Sequence, residues 1–104
     1  MAKSKRAKAC DISQAVKKRV WQRDNHCCII CGNPQAMPNS HYIRRSQGGL
    51  GIEKNVVTMC QHCHNQYDNG TGEYREYIKQ TTKDYLMNIY PDWNEEELVY
   101  NKWA

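Results

Sequence analysis

Two Cys-x-x-Cys pairs, Cys28/Cys31 and Cys60/Cys63, constrain this chain more than anything else in it. In a secreted chain six cysteines within 104 residues would suggest a disulfide scaffold. No secretory leader is legible, because the basic start (Lys3, Lys5, Arg6, Lys8) runs into no apolar segment. No stretch approaches the roughly 20 apolar residues of a membrane span. The expectation is therefore a cytoplasmic protein without a membrane partner, in which two close-spaced thiol pairs supply the four ligands of a structural Zn²⁺. A dithiol redox centre needs one pair, not two. Cys27 is one residue too far from Cys31 for a knuckle, and Cys10 reads as a bystander. His26 and His62 flank the knuckles as substitute ligands. A small core lacking Phe makes metal energetically sensible, since structural zinc contributes on the order of 10–16 kcal/mol of apparent binding energy.

Charge is divided unevenly along the chain. Residues 1–45 carry ten Lys and Arg against Asp11 and Asp24, a net of +8, while residues 46–104 carry a net of −4. Such a basic half is the electrostatic footprint of a polyanion binder.

Residues 1–10 read as a flexible basic arm without apolar period. Asp11 or Ser13 is positioned to cap a helix whose apolar positions are Ile12, Ala15, Val16 and Val20 and which ends near Asp24. Pro34 and Pro38 mark residues 33–40 as loop. A short strand is predicted at 41–43, an irregular Gly-rich loop at 44–54, β-branched character at 55–59 and a helix over 62–68. After Gly70 and Gly72, Tyr74, Tyr77, Ile78, Thr81, Tyr85 and Ile89 fall on one helical face that should pack inward, and Pro91 stops that helix. A short acidic helix follows at 95–98. Trp21, Trp93 and Trp103 are expected to pack the tail.

His41, Asn55 and His64 are spaced among the cysteines in a second constellation. The succession Cys28-x2-Cys31-Gly32, His41-Tyr42-Ile43-Arg44-Arg45-Ser46-Gln47-Gly48-Gly49, Asn55-Val56-Val57, Cys60-x2-Cys63-His64 resembles the HNH nucleases that carry a four-cysteine zinc site. The small phage and prophage members are most similar, over about residues 12–70, and the tail from Tyr85 resembles them more weakly.

The resemblance implies an α+β, ββα-metal fold with flanking helices. Residues 11–72 would be the nuclease core and 73–104 a helical extension packed on it. It also implies metal-dependent hydrolysis of DNA phosphodiesters, by nicking or double-strand cleavage. His41 would be the general base, Asn55 would orient that histidine or its loop, and His64 would hold a catalytic divalent ion (Mg²⁺, Mn²⁺, Ni²⁺ or Zn²⁺). Asp68, four residues on, is a candidate second ligand. Where many relatives carry a metal ligand just before the base, this chain has Ser40. Arg44 and Arg45 are placed to bind phosphate, with Lys17, Lys18 and Arg23 adding contacts that give affinity without reading bases. Family resemblance alone suggests a phage terminase or other packaging protein as partner. The competing reading is a non-enzymatic zinc module that binds nucleic acid or protein.

Overall fold

The computed structural model describes residues 4–101. Lys3 of the expected arm and Trp103 lie outside that range. Where a flexible arm was expected, Ser4 instead caps a helix, α1 (Lys5–Cys10), its side chain accepting from the Ala7 N–H at 3.1 Å. Lys, Arg and Ala are good helix formers, but six residues are too few to hold a helix unaided. Tertiary contacts supply the rest. Arg6 Nη2 donates to the Ser46 carbonyl at 3.2 Å, the Gly51 N–H donates to the Ala9 carbonyl at 3.0 Å, and Cys10 is buried.

Ser13 caps the next helix, α2 (Gln14–Arg23), through the Val16 N–H. Val16 and Val20 face inward and pack with Val56, while Ala15 of the expected apolar set is exposed.

Strand β1 (Ala36–His41) pairs antiparallel with β2 (Val56–Cys60), matching Met37 with Met59 and His41 with Val56. This corrects the loop expected at 33–40 and the strand expected at 41–43. Pro38 falls where the register shifts between Met37 and Ser40, and a bulge in a two-stranded sheet is a place where a missing N–H is tolerated. β2 is buried along its whole length, between α2 on one side and the main core on the other.

Helix α3 (Gln61–Asn69) follows β2 directly, so strand, strand and helix form the ββα unit. α4 (Glu73–Ile89) adds Ile78 and Leu86 to the cluster built from Tyr42, Val57, Met59 and Tyr67. The inward face of α4 is rotated from the expected one. Ile78, Thr82 and Leu86 are buried at four-residue spacing, whereas Tyr74 and Tyr77 are exposed. Thr82 tolerates burial because its hydroxyl donates to the Ile78 carbonyl at 2.8 Å. A 3-10 turn over Glu95–Leu98 brings Leu98 into the same core, and Trp93 packs edge-on against Tyr42. Trp21 stacks on His26.

A buried ion pair joins these layers. Asp24 accepts from Arg23 Nε at 2.7 Å, the Tyr85 hydroxyl at 2.7 Å and the Thr58 N–H at 2.8 Å. Arg23 also donates to the Glu53 and Val56 carbonyls at 2.7 and 2.8 Å. Arg23 is thus a structural residue, not the phosphate contact expected from sequence: every direction its guanidinium points is taken up inside the protein. Asp24→Ala, which strands that buried guanidinium, should cost about 3–5 kcal/mol in urea unfolding of the zinc-loaded protein.

Candidate functional site

The four knuckle cysteines converge. Their Sγ atoms all lie within 4.8 Å of one another, and Cys31 and Cys60 are 3.6 Å apart. Tetrahedral zinc with bonds of about 2.3 Å separates its sulfurs by about 3.8 Å, so spacing and donor set both fit a closed structural site. The first knuckle is closed by the Cys28 N–H donating to the Asn33 carbonyl and the Gly32 N–H to that of Cys28, both at 2.9 Å. Cys60 ends β2 and caps α3, its sulfur accepting from the Cys63 N–H at 3.5 Å. Cys63 and the Tyr74 hydroxyl lie 3.7 Å apart. Cys27, Cys10, His26 and His62 stand outside the cluster.

The thiols do not ionise independently. Burial opposes charge on Cys28, but main-chain hydrogen bonds from Cys31, Cys60 and Ile30 bring it down to about 7. Burial pushes the Cys63 thiol well up, and proximity to Cys60 and Cys28 adds to that. Four thiolates this close require a cation among them.

A second set of residues gathers at the open end of the ββα unit. A cleft of about 250 Å³ is lined by His41, Arg44, Arg45, Ser46, His64 and Asp68. His41, the last residue of β1, is half-buried, and its Nε2 lies 2.9 Å from the Cys10 carbonyl of α1. A carbonyl only accepts, which places the proton of the neutral ring on Nε2 and leaves a lone pair on Nδ1. Burial, and then the charges of Arg45 and His64, lower the His41 pKa below the ordinary 6.5, against the Cys10 carbonyl and Asp68.

His64 and Asp68 sit one turn apart on α3 with Nε2 and Oδ2 separated by 2.9 Å. They offer an imidazole nitrogen and a carboxylate oxygen, a donor set suited to a divalent ion. Ser40 does not add to it: its side chain is fully buried, with the hydroxyl 3.4 Å from the Met59 sulfur.

Asn55 acts at a distance from the cleft. Buried at the entry to β2, it accepts from the Ile43 N–H at 2.8 Å and donates to the Ile43 and Leu50 carbonyls at 3.2 and 2.9 Å, pinning the loop after His41. Gly49 belongs to the same closure, since a Cβ there would collide with the Ile43 carbonyl. Arg44 spans from this loop to α3, Nη2 donating to the Asp68 and Tyr67 carbonyls at 2.9 and 3.4 Å. Arg45 pairs with Asp11 at 2.5 Å and remains half exposed.

Lys17 and Lys18 line a separate groove beside Trp21 and Met37, between α2 and β1. It shares Ala36 and Met37 with a recess that reaches His64, so a surface path runs from α2 to the cleft. Sequence reasoning missed Cys10 as a neighbour of His41. The contact is made by a main-chain carbonyl, which residue identity does not advertise; the only hint was Ser4 standing before a run of helix formers.

Two comparisons with known proteins bear on this chain. The chain is 31% identical over 55 residues to Anaredoxin of Nostoc sp. (strain PCC 7120 / SAG 25.82 / UTEX 2576), covering 52% of this chain and 72% of that protein. Residues 28–70 match the family model described as HNH endonuclease. Residues 28–70 form an HNH endonuclease domain. The matched segment begins at Cys28 and ends just after α3, so it contains both thiol pairs, His41, Asn55 and His64 but neither α1 nor α4.

Proposed function

We propose that this HNH protein is a metal-dependent endonuclease that hydrolyses DNA phosphodiester bonds. The carrying observation is the convergence of His41, His64 and Asp68 with two arginines in one small cleft beside the four-cysteine cluster. A phosphate entering the cleft meets the guanidinium of Arg45 and the flank of Arg44. His41 takes a proton from water at Nδ1, the nitrogen left free by the Cys10 contact. Asn55 keeps the loop closed so that His41 and Arg44 hold their spacing. His64 and Asp68 would hold a divalent ion, which when bound supplies positive charge for the oxygens of the reacting phosphate. Lys17, Lys18 and Arg45 give affinity that falls steeply with salt. Packaging proteins are candidate partners on the sequence resemblance alone.

The test is relaxation of supercoiled plasmid by zinc-loaded protein with Mg²⁺, Mn²⁺ or Ni²⁺ added, against no addition. Nicking that requires the added ion supports the reading. DNA binding without cleavage in any ion favours the non-enzymatic module, the reading that the inward-turned Ser40 supports by leaving His64 and Asp68 as the candidate donors among the described residues of the cleft.

The pH dependence follows from His41. A base works when neutral, and this histidine loses its proton below 6.5. Cleavage should therefore rise with pH through a midpoint below the ordinary histidine value and be flat by neutrality, in single-turnover assays at saturating metal.

A further inference from the structure

We propose that the Cys10 main-chain carbonyl is the group that holds the His41 ring in place, which makes α1 a part of the active site. The inference rests on the nuclease reading for its catalytic meaning, and on geometry alone for the positioning.

The contact joins residues 31 positions apart, and its carbonyl lies outside the segment, 28–70, that matches the HNH family model. Three features deliver that carbonyl. The Cys10 side chain is buried, fixing the end of α1. Arg45 grips the segment from the cleft side, bonding Asp11 at 2.5 Å and the Ala7 carbonyl at 3.3 Å. Gly51 lets the backbones touch: its N–H donates to the Ala9 carbonyl at 3.0 Å, and a Cβ on it would strike the Asp11 carbonyl and lie 3.0 Å from that of Cys10. Gly51 is absent from the positive-φ residues, so an alanine there acts through this contact and not through backbone strain. Held from Nε2, the ring can pivot only about that bond, and Nδ1 is kept available for water. Without the carbonyl the ring is free to turn about its side-chain torsions.

Gly51→Ala is the test, read in two ways on zinc-loaded protein. In the first, ¹H–¹⁵N spectra of ring-labelled protein are recorded above the histidine titration range. Wild type should show a His41 Nε2–H resonance protected from exchange, and Gly51→Ala should lose it while its other histidine signals stay in place. In the second, single-turnover plasmid nicking should fall by about 10²-fold, the scale of an ångström-sized misplacement, with DNA affinity retained. Should Gly51→Ala fail to fold, Arg45→Gln releases Asp11 and Ala7 without adding an atom, and the resonance should likewise disappear. An unprotected Nε2–H in wild type overturns the proposal, as does a variant that loses the resonance yet nicks at the wild-type rate. A wild type that shows the protected proton but nicks DNA in no metal sinks the nuclease reading and leaves the positioning of His41 standing.

Discussion

His41→Ala, purified with its zinc in place, should nick plasmid about 10²- to 10⁴-fold more slowly than wild type while binding DNA nearly as well. The separation of the two effects is what makes the variant informative. Phosphate affinity is assigned to Lys17, Lys18 and Arg45, none of which depends on the His41 ring for its position. Rate is assigned to a nitrogen whose lone pair is left free by the Cys10 contact. Removing the imidazole takes away proton acceptance and leaves the cationic surface intact, so added imidazole in the buffer should restore part of the rate. Wild-type cleavage by the variant would remove His41 from the mechanism.

Cys60→Ser, or stripping the metal with a chelator, should abolish cooperative folding. Cys60 is the last residue of β2 and the cap of α3 at once, so its loss disturbs a knuckle, a strand end and a helix start together. Structural zinc contributes on the order of 10–16 kcal/mol of apparent binding energy, comparable to or larger than the roughly 5–15 kcal/mol net stability of a domain. The expected result is collapse of the far-UV circular dichroism and of the thermal transition, reversed when zinc is returned. Acid should mimic the chelator, because protons and metal compete for the sulfurs: burial pushes the Cys63 thiol well up, so its proton would leave to solvent only as a metal takes its place. A Cys60→Ser protein that unfolds at the wild-type temperature would show that packing alone sustains the fold.

The readable parts of this chain were those whose chemistry is local. Paired cysteines announce a metal at any distance along the sequence, because the ligand spacing within each knuckle is fixed by one turn of backbone. The ββα fold followed from the resemblance and is the fold found, α2 and α4 were visible in their periodicity, and a helix was expected over most of α3. What stayed hidden depends on partners far along the chain. α1 looks like a solvated tail until Ser46 and Gly51 are placed against it. Pro38 argued for a loop because nothing in the sequence marks a bulge that excuses a proline. Arg23 read as one more charge on a basic helix, whereas Asp24 and two main-chain carbonyls draw it inside. The inward face of α4 came out rotated because Tyr is amphipathic: Tyr74 and Tyr77 keep their rings partly in water and hand the interior to Thr82 and Leu86.

One ion held by residues 28, 31, 60 and 63 would also alter the topology of the chain. Everything between the two knuckles becomes a closed ring with its clasp at the metal, and His41 and Asn55 both ride on that ring. A protease that nicks the backbone at exposed Met37 or Ile52 would therefore open the ring without releasing either piece. The two fragments should travel together on a native gel and part when the clasp is undone by a chelator, so that a broken polypeptide could still present an intact cleft.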